Sequence, residues 1–186
     1  MYATDDLRNE HEGIEIAIQV LDTIAGELEA QHDVSIDDLE QIVDFLKTFA
    51  DKCHHSKEED LLFPALEKAG VLVAGGPIGV MLDDHTKGRD FIRTMGDSLP
   101  KIKQNDIPAR NEFAAAAHGY AGLLRDHISN ENTILFVIAE QKLTPKEHET
   151  LSEGFERIEQ ERIGPGVHER YHKLLDELNE KYLKAS

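Results

Sequence analysis

His54-His55-Ser56-Lys57-Glu58-Glu59-Asp60-Leu61-Leu62-Phe63-Pro64-Ala65-Leu66-Glu67 is the stretch that decides the fold, because its pattern returns 73 residues later. His54, Glu58, Leu62, Phe63 and Glu67 are answered at the same spacings by His127, Glu131, Leu135, Phe136 and Glu140. Side chains four apart stack on one face of a helix, so each copy presents a histidine and a glutamate together. An upstream pair matches as well: His11, preceded by Glu10, is answered 74 residues on by His85, preceded by Asp84. The chain reads as two helical hairpins, each giving one histidine from its first helix and a histidine plus a glutamate from its second.

Around these residues the apolar spacing is helical, with no sustained alternation of period two. Leu7, His11, Ile14, Ile18, Leu21, Ala25 and Leu28 mark a first helix. A second starts near Ser35 or Asp37, carries Leu39, Val43, Leu46 and Ala50 into His54, and stops at Gly70. Pro64 should kink or locally break it. Met81, His85, Gly88, Ile92, Met95 and Leu99 mark a third helix ending before Pro100. The fourth runs from about Pro108 through Tyr120, Leu124, His127, Glu131, Ile134 and Ile138. Thr144-Pro145-Lys146-Glu147 is a capping box that opens a fifth, and Gly164-Pro165-Gly166 separates it from a sixth bearing Val167, Tyr171, Leu174, Leu178 and Tyr182. The expected fold is all-α: an up-down-up-down antiparallel four-helix bundle over residues 1–142, with two additional C-terminal helices, residues 143–186, packed on its outside.

Composition narrows the function. Among 186 residues, 37 acidic side chains face 20 basic ones, a net charge of −17. Such a surface repels phosphate backbones and anionic lipid, which argues against nucleic-acid and membrane partners. The longest uncharged run, residues 69–82, is broken by glycine and proline and too short to span a bilayer. With no apolar signal-like segment near Met1, a cytoplasmic location is expected. Cys53 is the single cysteine, so cysteine-rich metal sites and internal disulfides are excluded and the ten histidines become the ligand candidates.

Taken alone, a histidine four residues before a glutamate is an ordinary surface pair, and a histidine on an apolar stripe an ordinary core residue. Two copies in register, each with its upstream histidine, make a different pattern. His11, His54, Glu58, His85, His127 and Glu131 would be costly unpaired in a dry bundle. A pair of metal ions offsets that cost, since imidazole suits iron, zinc, copper or nickel and a carboxylate can bridge two ions. About four protein donors per ion leave room for a solvent-derived bridge and a small exogenous ligand, which implies reactivity.

The segments HHSKEEDLLFPALE (54–67), GPIGVMLDDH (76–85) and DHISNENTILF (126–136) resemble the hemerythrin-like, or HHE cation-binding, family over Thr4 to about Gln141. They are particularly similar to the di-iron domain of iron-centre-repair proteins. The resemblance implies a four-helix bundle holding two iron ions under an oxo or hydroxo bridge, with His11, His54, His85 and His127 as terminal ligands and Glu58 and Glu131 bridging. Two positions depart from the oxygen carriers of the family. Arg89 stands where they have a second histidine one turn after the third-helix ligand, and Glu131 replaces an aspartate five residues after its histidine. Four histidines leave a more open centre, which suits binding or reduction of dioxygen, nitric oxide or peroxide better than reversible oxygen carriage.

Weaker candidates remain. His55 is turned about 100° from His54 and reads as a surface or supporting residue, or an alternative ligand paired with Glu59. His32 lies too far along the first helix, about 31 Å from His11, to share a centre unless that helix breaks. Tyr120 is core, a supporting donor or a stand-in fifth ligand. His168 and His172 have ligand spacing outside the repeated region, and Cys53 reads as a buried, inert thiol. The expected protein is a di-iron oxidoreductase or binder that needs an electron donor. Its competitors are an oxygen or iron sensor, an iron storage, delivery or repair module, and a structural zinc bundle.

Overall fold

Three of the helices begin where the sequence supplies a side-chain cap. Ser35 accepts a hydrogen bond from the Asp38 amide at 3.4 Å, Asp106 from the Ala109 amide at 3.0 Å, and Thr144 from the Glu147 amide at 3.3 Å. Glu147 reaches back to the Thr144 amide at 2.8 Å and completes the capping box. The computed structural model describes residues 2–184, and among these there are six helices and no strand. They are α1 (Ala3–Glu29), α2 (residues 36–68), α3 (Pro77–Ile102), α4 (residues 107–142), α5 (Pro145–Arg162) and α6 (residues 167–184).

Three of these helices change their winding, α6 only over its last turn, Glu180–Lys184. α2 is α-helical over Ile36–Phe45, π-helical over Leu46–His55 and Glu58–Leu62, and α-helical again over Phe63–Lys68. α4 passes from α (Ile107–Asn130) through π (Glu131–Leu135) to α (Phe136–Lys142). Pro64 therefore does not break α2. The wide turn just before it absorbs the missing N–H and the ring, and the Phe63 amide bonds the Glu58 carbonyl. Pro100 does not end α3 either; the helix runs on to Ile102 and forgoes only the bond that residue 100 would donate to the Gly96 carbonyl.

The apolar residues form two cores. The larger joins Ile14, Leu21 and Ile24 of α1 to Phe45, Phe49, Met95, Phe113 and Tyr120. The smaller joins Leu7, Leu62, Phe63, Leu66, Leu135 and Phe136. On each of α1 to α4 the repeated ionisable residues fall between a residue of one core and a residue of the other: His11 between Leu7 and Ile14, His85 between Met81 and Ile92. α4 packs most extensively against α3 and α1. The α3–α4 approach needs Gly119, where a Cβ would stand 2.6 Å from the Phe91 ring.

The C-terminal helices are more than an outer cover. Tyr171, Leu175 and Leu178 of α6 belong to the larger core, and Leu151 and Phe155 of α5 to the smaller. His148 of α5 accepts a hydrogen bond from the Ala3 amide at 3.2 Å and so caps α1. Among the described residues no helix is long and apolar enough to cross a membrane. Phe155→Ala should destabilise the protein by about 3–5 kcal/mol, as truncation of a buried phenylalanine does. Chemical denaturation checks this, and a change under about 1 kcal/mol would show that α5 lies loosely on the bundle.

Candidate metal centre

π-helical winding places the key side chains of α2 and α4. His54 and His55 end one π segment, Glu58 opens the next, and Glu131 opens the third. In a helix closed by bonds five residues apart, successive residues rotate less than the roughly 100° of an α-helix, so a wider set of side chains meets the interior. His11, His54, His85, His127, Glu58 and Glu131 are all at most 1% exposed.

These six converge. The Nε2 atoms of His11 and His54 are 3.0 Å apart, and those of His85 and His127 are 3.2 Å apart. Glu58 lies 3.6 Å from His54 and 3.4 Å from His85, while one oxygen of Glu131 lies 3.2 Å from His11 and 3.3 Å from His127. Two groups of side chains could hold an ion: His11, His54, Glu58 and Glu131, and His55, Glu58, His85 and His127, with ligand atoms in each group all within 4.8 Å of one another. Glu58 belongs to both.

The outer faces of the rings fix their protons. His54 Nδ1 faces Glu10 at 2.8 Å, His85 Nδ1 faces Glu59 at 2.7 Å, and His11 Nδ1 faces the Asn132 amide oxygen at 2.9 Å. His127 Nδ1 points toward Asp84 at 3.6 Å. A carboxylate only accepts, so the Nδ1 atoms of His54 and His85 donate and their Nε2 atoms carry inward lone pairs; the Asn132 oxygen sets His11 the same way. Both oxygens of Glu58 and of Glu131 are buried without a hydrogen-bond partner. Lone pairs facing one another at 3 Å are repulsive unless protons or cations intervene, and the donor set fits metal cations of the imidazole-and-carboxylate type.

In the metal-free state protons do this work. Burial works against the charge on Glu58, but the imidazoles of His54 and His85 outweigh it and hold that carboxyl well below its usual range. Burial, reinforced by the Glu58 charge, pushes the Glu131 carboxyl up to about 8. Burial opposes protonation of His85 too, yet the nearby Glu58 carboxylate and the hydrogen bond to Glu59 raise it to about 9. His127, lacking such bonds, is lowered to about 3 by burial and the charge of His85.

Of the further residues singled out in the sequence, some reach the centre and some do not. His55, at the end of the first π segment, is buried and stands with Glu58, His85 and His127, while His54 stands with His11. Glu59 belongs to neither group and instead orients His85. His32 is exposed beyond α1 and pairs with Glu27 at 2.6 Å, far from the centre because α1 does not break. Tyr120 is fully buried with its hydroxyl unpartnered, and its ring lies against Gly88. Burial pushes the Cys53 thiol up to about 12, in keeping with an inert group. His168 bonds Glu159 at 2.9 Å and lies edge-on to Phe49.

Arg89 does not point into the centre. It donates to Asp51 at 2.8 Å and to Glu59 at 2.6 Å, clamping the carboxylates that face His55 and His85. The sequence signal for this role was its place one turn after His85. On the opposite side Lys57, 2% exposed, donates to Glu10 and, at 3.4 Å, to Glu159 of α5, so the carboxylate behind His54 is tied to the C-terminal helices. Burial alone would lower the Lys57 ammonium, but Glu10 outweighs it and keeps it charged.

The proton inventory sets a pH dependence. A group raised on folding stabilises the protein fully below its unfolded value and loses that contribution as pH rises through its folded value. For His85 the interval runs from 6.5 to about 9, and for Glu131 from 4.5 to about 8. The metal-free protein should therefore melt at progressively lower temperature from pH 6.5 to 9. Metal binding should release protons and narrow this loss, because the ligands must be deprotonated. A flat or rising melting temperature for the metal-free protein across that interval would contradict the assignment.

The hemerythrin HHE cation-binding domain model matches residues 2–139. An uncharacterized protein of Mycobacterium tuberculosis (strain ATCC 25618 / H37Rv) is 25% identical over 162 residues, covering 87% of this chain and 63% of its own. The iron-sulfur cluster repair protein YtfE of Salmonella newport (strain SL254) is 32% identical over 89 residues, covering 45% of this chain and 39% of its own. The chain thus spans less than two thirds of the length of these relatives. No solved structure is a significant match to it. With the family model covering most of the sequence and the duplicated histidines and glutamates converging in one layer, the chain belongs to the hemerythrin HHE cation-binding domain family.

Proposed function

We propose that this protein is a non-haem di-iron protein that binds or reduces a small oxidant: dioxygen, nitric oxide or peroxide. The observation that carries the reading is the pairing of Nε2 atoms at 3.0 and 3.2 Å on either side of two carboxylates that no proton donor satisfies. His11 and His54 would hold one ion, His85 and His127 the other, with Glu58 and Glu131 shared between them. Iron would supply the redox electrons and the open coordination positions. The chain's part is to keep the imidazoles in one tautomer through Glu10, Asn132 and Glu59, and to hold the site dry between two apolar cores. In this reading residues 1–142 form an up-down-up-down antiparallel bundle that contains the centre, and residues 143–186 close it. The protein would act in the cytoplasm with a separate electron donor.

The second reading, iron handling or repair, is favoured by the match to YtfE over 89 residues. Anaerobic transfer of iron to an apo iron–sulfur acceptor, faster than from free ferrous iron, would favour it over oxidant chemistry.

Protein produced with ample iron should contain about two iron ions per chain by elemental analysis. Glu58→Ala or Glu131→Ala should lose the paired centre, and His168→Ala or His172→Ala should keep it. One zinc and no iron would sink the reading. Arg89 supplies no imidazole, so an iron position stays open and oxygen should react without being returned under vacuum. Full recovery of the reduced spectrum over repeated cycles would contradict this.

A further inference from the structure

His55 is 2% exposed, and its Nε2 is buried with no hydrogen-bond partner. Its ring is placed differently from those of the other four histidines. The His11 and His54 rings are tilted by 57° with centroids 4.7 Å apart, and the His85 and His127 rings by 64° at 4.8 Å. Rings splayed in this way aim two nitrogens at one point. The His55 ring instead lies on that of His85, 14° from parallel with centroids 3.8 Å apart. Lone pairs lie in the ring plane, so two rings lying flat on one another cannot both aim at one ion. If His85 is directed at an ion, His55 is directed beside it.

The tautomer is set from outside. His55 Nδ1 faces Asp51 Oδ1 at 3.4 Å, and that same oxygen accepts from Arg89 Nε at 2.8 Å. Asp51 can only accept, so Nδ1 carries the hydrogen and Nε2 of the neutral ring presents a lone pair toward Glu58, His85 and His127.

We propose that His55 is a positioning residue that accepts a hydrogen bond from a protic molecule held at the His85/His127 ion. The centre thereby prefers ligands that carry hydrogen, such as hydroperoxide or hydroxylamine, over acceptor-only anions such as azide. A protic ligand finds an acceptor at Nε2; azide meets a lone pair. The proposal deepens the di-iron reading and rests on it.

Cobalt(II) replaces iron without oxidising the test ligands, and its visible bands report binding. Anaerobic titrations with hydroxylamine and with azide would compare the wild-type protein with His55→Leu and His55→Gln. His55→Leu should weaken hydroxylamine about five- to tenfold, the loss of one hydrogen bond, and leave azide within about twofold or tighter. His55→Gln, which offers an amide oxygen, should restore much of the preference. Exchangeable, paramagnetically shifted imidazole N–H resonances should number four in the wild type and in His55→Leu. Five in the wild type falling to four would make His55 a ligand and overturn the proposal. So would equal changes for both test ligands, or none. Failure of the wild-type chain to take up two cobalt ions would instead remove the two-metal reading itself.

Discussion

Six lone-pair-bearing side chains buried in one layer govern this structure. Carboxylates and imidazoles at most 1% exposed face one another across about 3 Å, and each would be costly there without a proton or a cation. The rest of the molecule accommodates that layer. The apolar core is split in two around it, so the centre is walled by leucine, isoleucine and phenylalanine on both sides along all four long helices. A dry wall strengthens every electrostatic interaction within and excludes bulk water.

A shell of acceptors outside the layer makes the inner one chemically single-minded. Glu10, Glu59, Asp51 and Asn132 take the outer hydrogens of His54, His85, His55 and His11, so the inner nitrogens are left as ligands or acceptors. That shell is itself anchored. Arg89 of α3 holds two of its carboxylates, both contributed by α2, and Lys57 holds a third while reaching Glu159 of α5. Phe155 lies beneath the same lysine, with the ammonium 6.0 Å from its ring centroid. Through this chain of contacts the C-terminal helices touch the electrostatic surroundings of the centre without contributing to either candidate metal group.

The π-helical segments are where helix winding and chemistry meet. Each of the three in α2 and α4 contributes a residue of the layer at its boundary, and each departs from α geometry so that more side chains of one helix point inward. α2 gains most, presenting His54, His55 and Glu58 together. Arg89 and His55 are then linked: the helix that lacks a second inward histidine carries the guanidinium that orients the extra histidine of its neighbour through Asp51.

Much of this was legible in the sequence because it depends on periodicity. The repeat at an offset of 73 residues put His54 and Glu58 in register with His127 and Glu131, and the four-three spacing put His11 and His85 on buried stripes, whatever the details of packing. Caps at Ser35 and Thr144 were equally local and read directly. What lay beyond the sequence depended on how helices wind and meet. A helical period turns His55 away from His54 without saying what it will face, and only packing sets it against Glu58, His85 and His127. Spacing could mark Arg89 as the wrong residue for a ligand, but not that its fork spans Asp51 and Glu59 on another helix. Nor could it reveal that Tyr171 and Phe155 complete the two cores, since an amphipathic helix declares which face is apolar and not what that face will cover. Local pattern determined the ligand-like residues; tertiary packing decided which nitrogens face inward, because that choice is made by acceptors on neighbouring helices.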